Sequence, residues 1–246
     1  MGSLPDFFSR KITSLSPLNL FEASRIKHSC FANHTQLKSI VIPESVKVIE
    51  NSAFSDCTSL YNIDTDNMDP YCEINCNFED TTWYNSQPNE SIITMANGRI
   101  MVGNKISKPS NGFVIPSNIV TLGTHACRAI DSDNADSSFT SFIIPDTVEI
   151  ICESIFYLQS GLTQITIGKN VRKIGSELVP TNATTLIFRQ PADMEIELPT
   201  PGENTGLGYE KNSRSLTIYT DNIAIRNYDW SADNATVTFY PLSEAP

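Results

Sequence analysis

Apolar residues fall along this chain in short bursts that repeat. In LKSIVIPESVKVIENSAFSDCTSL, residues 37 to 60, the apolar positions are Leu37, Ile40, Ile42, Val46, Ile49, Ala53, Phe54 and Cys57, and Leu60 restarts the set 23 residues after Leu37. The set returns as Phe139, Phe142, Ile144, Val148, Ile151, Ile155 and Phe156. At the same offset it returns again as Leu162, Ile165, Ile167, Val171, Ile174, Leu178 and Val179. Stepping back from Ile49 and Phe54 reaches Ile26 and Phe31, and GFVIPSNIVTLGTHAC adds Phe113, Ile115, Ile119, Leu122 and Ala126. A fixed period of this length marks a repeat architecture.

One unit can be read physically. Ile40 and Ile42 flank Val41, so in an extended strand the two isoleucines share a face. Pro43 has no N–H to give a ladder, which stops the strand. Val46 and Ile49 then turn the chain inward again, and Gly123 or Gly175 is expected to permit the next bend. The SAFSDC tail returns Phe54 and Cys57 to the core. One such unit cannot bury its own apolar face, whereas stacked units share a continuous core and a parallel sheet.

The phrase I-x-IP-x-S-V-x-x-I-x-x-x-AF-x-x-C, carried best by LKSIVIPESVKVIENSAFSDCTSL, FVIPSNIVTLGTHAC, FIIPDTVEIICESIF and ITIGKNVRKIGSEL, resembles the BspA-like (Treponema pallidum-type) leucine-rich repeat. The resemblance covers residues 24 to 66 and 112 to 190, with Ile167-Gly168 in place of the usual Ile-Pro and the final Cys lost from most units. It implies a mainly β solenoid with a parallel sheet and a repeat of about 23 residues. The expected organisation is an N-terminal cap or anchoring segment (1–23), the solenoid (24–190) with an insertion at 66–111, and a C-terminal capping region (191–246).

Within the insertion, Ser91 to Ala96 and Arg99 to Val102 flank Asn97-Gly98, which predicts a β-hairpin on a type I′ turn. A second insertion, AIDSDNADSSF, reads as a solvated loop. Its Asp131, Asp133 and Asp136 could ligate Ca²⁺, but no glycine sits where an EF-hand loop bends. After Gln190 come a strand at Ser215 to Thr220, a helix-like stretch near Asn222 to Asp229 and a last strand at Thr236 to Tyr240. The segment LTIYTDNIAIRNYDW…FYPLSE is similar to the closing segment of leucine-rich-repeat proteins among tailed-phage structural proteins.

Composition narrows the function classes. With 17 basic and 28 acidic residues the formal charge is −11, with no basic cluster to offset it locally, so nucleic acid and anionic membrane are not expected partners. No stretch approaches the roughly 18 apolar residues of a membrane span, and membrane insertion is not expected. The first 24 residues lack a basic start followed by an unbroken apolar run, so no secretion signal is read there. Six cysteines in 246 residues are too few for a disulfide scaffold.

Cys72 and Cys76, like Cys30 and His34, have the spacing of zinc ligands. However, Cys30 lies one period before Ala53 and His34 one period before Cys57, which places both toward the core as packing groups. The other histidines, His28 and His125, have no nucleophile and acid in a recognisable arrangement, and no phosphate loop, nucleophile elbow or HExxH is present. No enzyme activity and no cofactor are expected. The sequons at Asn33, Asn89, Asn182 and Asn234 matter only to a eukaryotic secreted chain.

If the strand isoleucines point inward, Val41, Val114, Ile143 and Thr166 point outward in a row, as strand formers alone or as a contact surface for a partner or a second copy. Phe7, Phe8, Leu18 and Phe21 cap the first coil or anchor the chain to another protein. The sequence reading is a non-enzymatic structural or appendage protein of a phage particle. Its expected partners are other virion proteins or itself, and a host cell-surface protein or glycan. A cell-surface adhesin of the same repeat family is the alternative.

Overall fold

A computed structural model of the chain describes residues 14–15, 23–106, 114–128, 140–202, 206–208, 214–231 and 234–246. The candidate anchors Phe7, Phe8, Leu18 and Phe21, the repeat residue Phe113 and the loop aspartates Asp131, Asp133 and Asp136 lie outside those residues. Two units are present, 1–105 with 121–124, and 106–120 with 125–246.

In the first unit, β1 (Ser14–Leu15), β3 (Ser39–Val41) and β5 (Asn62–Asp64) form one parallel sheet. A second parallel sheet is built from β2 (Arg25–Ile26), β4 (Val48–Ile49) and β6 (Glu73–Ile74). Each coil therefore lays one strand on each sheet, and Pro43 with its turn makes the corner between β3 and β4. The tail makes a third side: Phe31 N–H donates to the Ala53 carbonyl at 2.9 Å and Asn33 N–H to that of Ser55 at 2.8 Å. Phe54 stacks between Phe31 (centroids 5.5 Å apart) and Phe78 (5.6 Å).

Gly123 and Gly175 do not make the bends. Gly123 and Gly175 are absent from the positive-φ residues, whereas Ser29 (53°), Asn33 (62°), Ser52 (57°), Asp56 (58°), Ser154 (52°) and Glu177 (55°) are among them. The tail is thus kinked by left-handed serine, asparagine and acidic residues at equivalent places in successive coils, of which asparagine and aspartate tolerate this region best. Gly123 is needed for close approach, because a Cβ there would stand 3.1 Å from the Ile74 Cβ. At Gly175 it would stand 2.6 Å from the Glu153 nitrogen.

The ladder also runs further than the sequence indicates. Glu73–Ile74 lies in the span assigned to an insertion, yet it pairs with β4, and Glu73 N–H and Asn75 N–H donate to Lys47 and Ile49 carbonyls. Extra residues around Asp69 and Pro70 throw the sequence out of period without breaking the stack. A short helix α1 (Thr82–Asn85), capped by the Thr81 side chain, follows. The hairpin β7 (Ile92–Met95) and β8 (Ile100–Asn104) is present, but Met95 pairs with Ile100 across a four-residue loop with Ala96, Asn97 and Gly98 all at positive φ. It is not a two-residue type I′ turn. β8 is buried along its length because it also pairs, in parallel, with β9 (Thr121–Leu122).

In the second unit, β11 (Ile150–Ile151) pairs in parallel with β13 (Lys173–Ile174). The main sheet contains β10 (Ser141–Ile144), β12 (Gln164–Ile167), β14 (Thr185–Phe188), β15 (Arg214–Thr220) and β16 (Ala235–Tyr240), in that order and all parallel. The segment after Gln190 thus continues the sheet. Between its strands lies α2 (Ile223–Asn227), capped by Asn222. Asn222 is fully buried; its Nδ2 donates to the Pro191 (2.7 Å) and Met194 (2.9 Å) carbonyls while its Oδ1 accepts the Ile225 N–H. Asn222→Ala leaves these buried groups unsatisfied and is expected to cost about 2–3 kcal/mol, read by thermal unfolding.

Candidate functional site

Four of the five strands of the main sheet in the second unit alternate, so one face is core and the other is outward; β14 departs from this, with Leu186, Ile187 and Phe188 all buried. Phe142, Ile144, Ile165, Ile167, Leu186, Phe188, Leu216 and Ile218 are buried beneath it. Register then sets the outward rows. Ile143, Thr166, Ile187, Tyr219 and Tyr240 are successive partners in one row, and Ser141, Gln164, Thr185, Thr217 and Thr238 in the next. Strands lie about 4.8 Å apart and outward residues on one strand about 6.7 Å apart. None of these positions carries a charge, in a chain of which 18% is charged.

Of the four surface residues expected from the sequence, the structure brings two together: Ile143 and Thr166 are direct partners. Ile143 is 64% exposed, and Val114, in the same unit but outside any strand, is 84% exposed. Val41 lies in the first unit, half-buried, and its register partner is Asp64, so the row there is not continuously apolar. The sequence reading missed Tyr219 and Tyr240, and with them Ile187, which shares their row but is buried. The signal was the Thr-x-Tyr triplet near the end of each of the last two strands, at Thr217 to Tyr219 and Thr238 to Tyr240.

The chemistry candidates are used by the fold. His34 is buried, and its Nδ1–H donates to the Phe31 carbonyl at 2.8 Å, which also accepts from the Cys57 Sγ. Burial pushes the Cys57 thiol up to about 11 and raises Cys127 further. Thiols held protonated in this way are poor nucleophiles. Cys72 and Cys76 are buried, whereas Cys30 is only half-buried, a departure from the core position expected from its spacing. Its thiol is raised by desolvation, against the pull of Lys27. Among the described residues no three His, Cys, Asp or Glu side chains gather as a metal site.

His125 stacks on Tyr157 with centroids 4.4 Å apart. Nearby in sequence, Glu153 is held above the usual carboxylate range by burial and then by Glu177, while the Ser154 hydroxyl donates to Glu177. Charged side chains elsewhere pair from coil to coil, as in Arg25–Glu50 (2.8 Å), Lys47–Asp69 (2.7 Å) and Arg172–Glu149 (3.1 Å). These exposed pairs contribute little to stability individually. No described helix is long and apolar enough to cross a membrane.

The family model of the BspA type leucine rich repeat region matches residues 24–132 and 131–190, with six copies. No curated protein matches the chain. Among solved structures, the chain is similar to the pneumococcal vaccine antigen PcpA at 12% identity and a TM-score of 0.39, covering 88% of this chain and 71% of that one. A leucine-rich repeat protein from Bacteroides ovatus matches at 16% identity and a TM-score of 0.26, covering 88% and 57%. Likenesses at these TM-scores carry no argument about this chain.

Proposed function

We propose, from the premise that this chain belongs to the BspA type leucine rich repeat family, that it is a non-enzymatic scaffold which holds a protein partner through exposed apolar residues of its coils. The observation that carries this is Ile143, together with Val114: large β-branched side chains left 64% and 84% exposed although the core beneath is complete without them. Apolar groups in that position gain free energy only when something covers them. The family is in general a protein-interaction scaffold.

In its finer form the proposal is a structural or appendage protein of a bacteriophage particle, and it rests on the resemblance read in the sequence alone at LTIYTDNIAIRNYDW and FYPLSE. Val114→Lys with Ile143→Lys is expected to abolish assembly with the partner, seen as loss of the higher-mass species in light scattering, while circular dichroism stays unchanged. Assembly that survives both substitutions removes the contact reading. Immunogold labelling of purified particles tests the virion role. Label on the particle supports it, and label confined to the envelope of uninfected cells replaces it with a cell-surface adhesin.

A further inference from the structure

We infer that the Tyr219–Tyr240 end of the outward face, on β14 to β16, is a binding site for a neutral glycan chain, separate from the protein contact proposed at Ile143. Tyr219 and Tyr240 stack with centroids 5.5 Å apart and planes at 26°, and Tyr240, on the last strand of the sheet, is 39% exposed. Two residues before each tyrosine, on the same face, stand Thr217 and Thr238, which are register partners. The end of the sheet therefore offers an aromatic platform beside a line of hydroxyls at strand spacing, each able both to donate and to accept.

Charge and area select the occupant. The positions of β14, β15 and β16 next to the tyrosines in these rows are Thr185, Thr217, Thr238 and Ile187, the last buried at 5% exposure, and all are uncharged. Carboxylates at the strand ends are engaged: Asp146 pairs with Arg189 and Lys169, and Asp221 accepts the Leu242 N–H. The guanidinium of Arg226 is engaged by the Thr220 and Tyr240 carbonyls, so a charged ligand would give up hydration here with no counter-charge among these outward positions to receive it, whereas a neutral one would not. The hydroxyl-bearing end is roughly 14 Å by 14 Å, about 200 Å², a quarter of the ~800 Å² that a stable protein contact takes from each partner. A sugar chain is narrow and neutral. Its C–H faces suit a tyrosine ring and its hydroxyl edges suit threonines, the same apolar body and polar rim that the site presents.

Titration calorimetry of the full chain with cellohexaose and with chitohexaose, and with hexagalacturonate as the polyanionic probe, tests the assignment. At least one neutral hexasaccharide is expected to bind and the polyanion is not. Tyr240→Ala weakens binding by about tenfold or more, and Thr217→Val with Thr238→Val weakens it several-fold. Tyr240→Phe, which keeps the stack, holds binding within about threefold and guards against a folding defect in the alanine variant. Ile143→Lys leaves glycan binding unchanged, so the protein-contact reading can fail without this one. Absence of binding by both neutral probes, equal binding of the polyanion, or full binding by the threonine double variant would overturn the inference.

Discussion

Replacing Phe54 by alanine is expected to destabilise the protein by about 3–5 kcal/mol, more than any other single truncation in the first unit. Phe54 is fully buried and lies in the middle of an aromatic column, with Phe31 on one side at 5.5 Å and Phe78 on the other at 5.6 Å; Phe78 in turn meets Trp83 edge-on at 5.7 Å. The column joins successive coils, and Phe54 is the largest side chain that the tail of its coil buries, beside Ala53 and Cys57. The cavity cannot close by collapse, because the coil spacing is held by the ladders of β1–β3–β5 and β2–β4–β6 on the other sides. Calorimetry should show the midpoint lowered by roughly 6–20 °C, with Phe54→Leu falling between. A shift as small as that of a surface substitution would mean that the column is not what joins the coils.

The second large effect is expected at Gly168. A Cβ there would stand 2.4 Å from the Pro145 oxygen, 2.6 Å from its carbonyl carbon and 2.9 Å from the Asp146 nitrogen. All three are backbone atoms of the preceding coil, directly after the paired residues Ile144 and Ile167. Relief requires two coils to part, so Gly168→Ala is expected to cost about 1–3 kcal/mol or more. Gly168→Pro would restore the Ile-Pro dipeptide found in other units, yet it carries the same Cβ and is expected to be no better tolerated. Urea unfolding measures both, and stability gained by the proline variant would refute the argument. In the sequence this glycine reads as decay of the repeat, whereas in the structure it is a tight crossing.

The repeat made much of the fold legible. Strand alternation at Ile40 and Ile42, the corner at Pro43 and the returning Phe54 are local chemistry written in each unit, and stacking follows because one unit leaves its apolar face uncovered. The candidate site was less legible. Val41, Val114, Ile143 and Thr166 were selected by their place in the period, but only Ile143 and Thr166 are register partners. Tyr219 and Tyr240 lie beyond the periodic region, and nothing in their local pattern reveals that β15 and β16 extend the sheet of β10, β12 and β14.

By itself, then, the amino-acid order determined which side chains must leave water and at what interval, because hydrophobicity and strand alternation belong to each short segment. Tertiary packing decided the rest. It decided which residues take the left-handed turns, that Gly168 and Gly175 serve close approach and not bending, that the ladder absorbs the irregular stretch up to Phe78, and which outward side chains share a row. All of these depend on the distance and register between one coil and the next, a quantity no single coil contains.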